Sequence, residues 1–137
     1  MTANFDATIP PIATFIATDL RNGIATIKLN RPDVRNAIND QMRAELIAAF
    51  EWADKSRQVR GVILTGEGKG FCSGGDIGGM RGRLEAPAGE VAFNGWLRQK
   101  QTHKGISVIP NMTKPVIAAV NGSAFGLGLD MALACDF

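Results

Sequence analysis

Residues 116–130 read VIAAVNGSAFGLGLD: a partly β-branched apolar run, then Asn-Gly, then two glycines that flank a leucine. Residues 62–76 read VILTGEGKGFCSGGD and repeat the order of apolar run, glycine-rich segment and acidic residue. Such runs are typical of strands buried on both faces of a parallel sheet. The glycines predict turns whose backbone N–H groups face an anion where a helix begins. Two such turns that meet would form an oxyanion hole; alternatively, the glycines only permit tight turns and close packing.

The flanking sequence continues this α/β pattern. Asn22-Gly23 favours a tight hairpin between strands predicted at 12–19 and 23–29, and further strands are predicted at 59–65 and 116–120. Helices are predicted after an Asn39 or Asp40 cap, over 90–109 and from Gly126. The first helix has apolar residues at helical spacing: Met42, Leu46, Ile47, Phe50 and Ala53. The segment 66–82 contains eight glycines and is predicted to be a loop.

Composition narrows the class of protein. The 137 residues carry a net charge of +2, which does not favour general binding to nucleic acid or to an anionic membrane. No apolar run is long enough for a membrane span, and residues 1–11 lack the pattern of a secretory signal. The two cysteines, Cys72 and Cys135, favour a reducing, cytoplasmic setting without a disulfide. We expect a loose N-terminus over 1–11 and a single domain over 12–137.

Several familiar catalytic motifs do not fit. A Walker loop that ends in Gly68-Lys69 would need glycine where Ile63 stands, and a dinucleotide fingerprint would need glycine where Phe71 stands. Ser123 lacks the surrounding pattern of a nucleophile elbow. His103 is the only histidine, and we expect it to lie on the surface. One histidine and two distant cysteines are too few to predict a zinc site, so no metal is expected.

Three motifs together resemble the enoyl-CoA hydratase/isomerase (crotonase) family. They are NRP at 30–32 with Asn36-Ala37, FCSGGDI at 71–77, and KPVIAAVNG at 114–122, which runs into GLGLD at 126–130 and ALACD at 132–136. The resemblance implies a crotonase-like α/β spiral of strand-strand-helix repeats that takes an acyl thioester of coenzyme A. It covers the N-terminal half of the family's domain. The second acidic residue of the family's hydratases falls later than Phe137, so we expect an incomplete domain.

The resemblance also implies roles for individual residues. It assigns the thioester oxygen to the backbone N–H groups of Gly75 and Leu127, which would stabilise an enolate. It places the following residues along the path of the coenzyme A moiety: Ala37, Ser73, Gly74, Gly75, Asp76, Ile77 and Leu127. Arg31, or the pair Arg81 and Arg83, is the candidate contact for coenzyme A phosphates. Coenzyme A enters as part of the substrate, and no tightly bound cofactor is implied.

Asp130 stands where the family often places a catalytic glutamate, and the resemblance implies that it acts as an acid or base. Its other role would be to complement the positive end of a helix. Aspartate reaches about 1–1.5 Å less far than glutamate, and a displacement of that size changes rates about 100-fold. Family members that isomerise dienoyl-CoA carry aspartate at this place, so isomerisation stays open beside hydration.

Two other functions remain as alternatives. A binding-only protein is one, because the second carboxylate lies outside the chain. A peptidase of the Clp type, which has a related spiral fold, would need a Ser-His pair that Ser123 and His103 match poorly. By analogy with the family, the expected assembly is a homotrimer or a dimer of trimers.

Overall fold

The computed structural model describes residues 8–137, so residues 1–7 of the predicted loose N-terminus lie outside the described residues. Four strands form a sheet in the order of the chain. They are β1 (Ile16–Arg21), β2 (Ile24–Leu29), β3 (Gly61–Gly66) and β4 (Val116–Ala119). Strands β1 and β2 are antiparallel, whereas β2, β3 and β4 run parallel to one another.

Helices make the crossovers that parallel strands require. Helix α1 (Asp40–Lys55) connects β2 to β3, and α2 (Ile77–Leu84) with α3 (Ala88–Ser107) connects β3 to β4. Helix α4 (Leu127–Ala134) follows β4. No helix within residues 8–137 has both the length and the apolar character needed to cross a bilayer.

The predicted hairpin is confirmed, and its turn explains the residues found there. Asn22 and Gly23 both have positive φ, 53° and 82°, which the tight turn between β1 and β2 requires. The first strand begins at Ile16, four residues later than predicted at position 12.

Helix α1 covers one face of the sheet and supplies much of the core. The Asn39 side chain accepts a hydrogen bond from the Met42 amide at 2.8 Å, so Asn39, and not Asp40, caps the helix. Of the predicted apolar positions, Met42, Leu46, Phe50 and Ala53 are buried. They pack with residues of β2 and β3 that are fully buried, among them Ile27, Leu29 and Leu64.

The prediction of a loop over 66–82 is wrong for its last part, because α2 begins at Ile77. Three glycines lie inside this helix, and each weakens it by about 1 kcal/mol relative to alanine. Its first turn is nevertheless capped, since the Asp76 side chain accepts a hydrogen bond from the Gly78 amide at 2.9 Å. Packing against α3 adds tertiary support that local propensity does not include.

Candidate active site

Two turns at the ends of neighbouring parallel strands are bonded to each other. We call residues 72–76, after β3, the first turn and residues 123–127, after β4, the second turn. Cys72 and Ala124 form a parallel bridge between them. The Cys72 amide donates to the Ser123 carbonyl at 3.1 Å, and the Phe125 amide donates to the Cys72 carbonyl at 3.0 Å. The two turns therefore hold a constant spacing.

The contact between the turns is so close that only glycine fits at two places. A Cβ atom on Gly128, the second residue of α4, would lie 2.5 Å from the Cys72 carbonyl oxygen. On Gly74, whose φ is +99°, a Cβ atom would lie 3.0 Å from the Phe125 carbonyl oxygen and 3.7 Å from the Leu127 nitrogen. The N-terminus of α4 thus packs directly on the backbone of the first turn.

Both turns contain backbone N–H groups without an acceptor among the described residues: Gly75 in the first turn, and Leu127 as one of several in the second turn. Among residues 8–137, no hydrogen bond uses the amide of Gly75 or of Leu127. The Ile38 amide donates to the Gly74 carbonyl at 2.8 Å and the Asp76 amide to the Ile38 carbonyl at 3.0 Å. Because strand N–H groups alternate in direction, the Gly75 N–H points away from Ile38. Leu127 is the first residue of α4, where N–H groups lack an intrahelical partner and the helix dipole favours negative charge.

Comparison with known proteins decides the family. The profile of the enoyl-CoA hydratase/isomerase family matches residues 19–137. The chain belongs to this family. It is 39% identical over 113 residues to a probable enoyl-CoA hydratase of Mycobacterium tuberculosis, which covers 82% of this chain and 41% of that protein. It is 37% identical to the mitochondrial Delta(3,5)-Delta(2,4)-dienoyl-CoA isomerase of Mus musculus, covering 87% of this chain and 38% of that one.

Solved structures of the same family have the same fold as this chain. The crystal structure of an enoyl-CoA hydratase/isomerase from Xanthobacter autotrophicus Py2 matches with a TM-score of 0.82 at 32% identity. That match covers 92% of this chain and 45% of the other. The predicted crotonase-type α/β fold is confirmed. This chain spans about 40% of the length of the curated relatives named above.

Asp130 lies one helical turn beyond Leu127 and is exposed. Its amide donates to the Gly126 carbonyl at 3.0 Å, which places Asp130 near the N-terminus of α4. Asp130 is the fourth residue of α4, so it stands about one helical turn from the Leu127 amide. Within the described part of the chain, its side chain makes no hydrogen bond or ion pair.

The structure places Arg31 and Asp76 in contact with each other. Arg31 Nη1 lies 2.9 Å from Asp76 Oδ2 and donates to the Ala37 carbonyl at 2.6 Å. The hydrogen bond from Arg31 lowers the pKa of Asp76 below its usual value. Since Asp76 also caps α2, this ion pair positions the first turn. Ile77 is exposed at the start of the same helix.

One predicted residue, Ser73, borders a cavity of about 540 Å³. Ser73 lines it together with Arg35 and Lys69, two cations that sequence reasoning missed. Arg35 precedes Asn36, and both residues have positive φ, 52° and 57°. Asn36 is fully buried, and its side-chain amide donates to the carbonyls of Glu67, Gly70 and Phe71. The Asn-Ala motif therefore anchors the glycine-rich loop.

The remaining reactive side chains stand apart from the two turns or are buried. Cys72 is buried, and burial raises the pKa of its thiol, which disfavours the nucleophilic thiolate. Burial and the charge of Asp136 raise the pKa of Cys135 to about 11, and both cysteines are free thiols. His103 is exposed and shares a hydrogen bond with Gln99 at 3.0 Å, as the prediction of a surface histidine requires.

Proposed function

We propose that this chain forms the thioester-binding part of an acyl-CoA lyase or isomerase. The observation that supports it best is the pair of unbonded amides, Gly75 and Leu127, in two turns that are bonded to each other. A thioester oxygen that accepts from both would gain stabilisation as the carbonyl becomes enolate-like. In comparable sites, the loss of one such donor costs about 3–4 kcal/mol in the transition state.

Asp130 is the proposed proton carrier. In hydration, water adds at Cβ of the enoyl group and a proton adds at Cα. In isomerisation, a proton leaves one carbon and returns to another, and no water is added. Both steps need a carboxylate beside the acyl chain, and Asp130 is exposed one turn from the Leu127 amide. The relatives named as a hydratase and as a dienoyl-CoA isomerase support both reactions about equally, at 39% and 37% identity.

The cavity beside the first turn is the proposed place for the nucleotide part of coenzyme A. Arg35 and Lys69 line it and supply two positive charges for phosphate groups, against the single negative charge of Asp33. Ser73 connects it to Gly74 and Gly75, so a thioester held by the amides would direct its coenzyme A arm towards this cavity. Arg31 is engaged with Asp76, which leaves Arg35 and Lys69 as better candidates for phosphate contact than Arg31.

Coenzyme A would thus arrive as part of the substrate, without a tightly bound cofactor. We also propose assembly into a homotrimer or a dimer of trimers, by analogy with the family.

Replacement of Asp130 tests the proposed chemistry. We expect Asp130→Asn to reduce the turnover of crotonyl-CoA, or of a 3,5-dienoyl-CoA, by at least about 100-fold, because the neutral amide cannot carry a proton. The loss of enoyl absorbance measures hydration, and the appearance of the 2,4-diene measures isomerisation. Calorimetric affinity for acetoacetyl-CoA should change less than about threefold, because the amide donors are backbone groups.

Asp19→Asn is the matched control, since Asp19 is an exposed aspartate on β1, away from both turns. It should retain full turnover. Unchanged turnover in Asp130→Asn would contradict the role given to Asp130. Binding of acetoacetyl-CoA without turnover of either substrate by the unaltered chain would favour the binding-only alternative instead.

A further inference from the structure

Three helices each contribute one arginine to a cluster around Asp40 and Arg98. These are Arg43 of α1, Arg83 of α2 and Arg98 of α3. Arg83 and Arg98 line a cleft of about 240 Å³, whose other lining residues are Ile38, Asn39, Asp40, Gln41, Asp76 and Gly79. Like charges at close range repel each other, so an arginine cluster indicates that negative charge is required there.

The carboxylates in the cleft supply only part of that charge. Asp76 is paired with Arg31 outside the cluster, at 2.9 Å. Asp40 faces two of the three arginines, at 2.8 Å from Arg43 and 3.7 Å from Arg83. One carboxylate therefore stands against three guanidinium groups.

Several hydrogen-bond donors in the cluster also lack an acceptor. Three buried guanidinium nitrogens have no acceptor within residues 8–137: Arg43 Nη1, Arg83 Nη2 and Arg98 Nε. Arg43 is the most buried of these side chains, at 4% exposure, and its Nη2 is already bonded to Asp40 and Gln101. Buried donors without partners are rare in folded proteins and point to an acceptor that is not part of this chain.

Arg98 is the arginine nearest to the proposed thioester site. A Cβ atom on Gly75 would lie 3.3 Å from Arg98 Nη2. Its guanidinium makes no hydrogen bond or ion pair with any described residue. Burial, together with the charges of Arg83 and Arg43, lowers the pKa of Arg98, so an anion bound here would relieve an unfavourable environment.

The cleft beside Arg98 also has more free volume for an acyl group than the neighbouring crevice. The crevice on the other side of Ile38, lined by Leu46, Ile106, Leu127 and Met131 among others, has only about 10 Å³ of free space. That space is about what a single water molecule needs, whereas the Arg98 cleft has about 240 Å³. A short acyl chain that extends from Gly75 past Ile38 thus has more room in the Arg98 cleft than in that crevice.

We propose that the cleft of Arg83 and Arg98 recognises a carboxylate on the acyl group of the coenzyme A thioester. This inference rests on the proposed function and narrows its substrate class to short carboxyacyl thioesters. The planar guanidinium of Arg98 suits a carboxylate because it can donate two parallel hydrogen bonds. A coenzyme A phosphate is the weaker candidate, since the whole pantetheine arm separates the phosphates from the thioester.

The test compares two thioesters of equal acyl length, glutaryl-CoA with a terminal carboxylate and valeryl-CoA with a terminal methyl group. Their dissociation constants are measured by calorimetry for the full chain. We expect glutaryl-CoA to bind about tenfold more tightly, as charge-assisted hydrogen bonds typically allow. In Arg98→Met this preference should fall to about twofold or less, while the affinity for valeryl-CoA stays within about threefold.

Arg57→Met is the matched control, because Arg57 is exposed after α1 and does not line the cleft. It should retain the preference for glutaryl-CoA, and Arg98→Lys should retain part of it. Equal affinity of the unaltered chain for both thioesters overturns the proposal and leaves the proposed function standing. An equal loss of both affinities in Arg98→Met also overturns it, because that result indicates a phosphate contact. If neither thioester binds the unaltered chain, the proposed function fails together with this inference.

Discussion

Gly128→Ala should separate the two turns without removing any functional side chain. The new Cβ atom would lie 2.5 Å from the Cys72 carbonyl oxygen and 2.7 Å from Cys72 Cβ, both parts of the first turn. Ordinary contact begins near 3.4 Å, so the start of α4 must move by about 0.9 Å relative to Cys72. The Leu127 amide, one residue before Gly128, must move with it.

The size of the effect follows from this displacement. A shift of about 1 Å in a catalytic group lowers turnover about 100-fold. Forcing a methyl group into a packed contact also lowers the free energy of unfolding by about 1–3 kcal/mol. We therefore expect Gly128→Ala to reduce kcat for the enoyl-CoA or dienoyl-CoA substrate about 100-fold and to be measurably less stable in urea.

Gly95→Ala is the matched control, since Gly95 is a helical glycine of α3 and a Cβ atom added there would have no neighbour within 4 Å. It should keep full turnover and gain up to about 1 kcal/mol from better helix propensity. Gly128→Ala with unchanged turnover and stability would refute the reasoning, because the turns would then tolerate separation. Lost stability with full turnover would refute only the placement of the Leu127 amide as an oxyanion donor.

Two predictions concern the anchors of the site. Asn36→Ala removes three hydrogen bonds that a fully buried side chain makes to loop carbonyls. It should lower the free energy of unfolding, measured in urea, by about 2–3 kcal/mol. A loss below about 0.5 kcal/mol would show that the loop does not depend on Asn36. Arg31 lowers the pKa of Asp76 in the folded state. The ion pair therefore stabilises the fold at pH values above the unfolded pKa of the aspartate, near 3.8, and this contribution is lost as the pH falls below that value. The stability difference between the unaltered chain and Asp76→Asn should therefore shrink between pH 6 and pH 3, and a constant difference would contradict this account.

Local signals were sufficient for most of the strands and for α1. The positive φ of Asn22 and Gly23 and the cap at Asn39 depend on neighbouring residues, which a sequence displays directly. The same local reasoning failed at α2, because three glycines oppose helix formation. There, the Asp76 cap and the contact with α3 outweigh propensity, and neither is visible in a short window of sequence.

Residue types also indicated the candidate site, but not the partners of its side chains. The glycines and Asp130 were predicted from their motifs, whereas Arg31 was predicted to face a ligand and is paired with Asp76. Arg35, Lys69 and Arg98 were missed because a single arginine or lysine in a sequence carries no sign of the cavity that it lines.

By itself, the sequence determined which segments are strands, where backbone N–H groups are freed by glycine turns, and the family to which the chain belongs. Only the tertiary structure decided that the turns of Gly75 and Leu127 meet, because the parallel pairing of β3 and β4 brings their carboxyl ends to one edge of the sheet. Likewise, the packing of α1, α2 and α3 gathers Arg43, Arg83 and Arg98. Turn and strand preferences act over a few residues, whereas charges and amides from distant segments become one site only when the core brings those segments together.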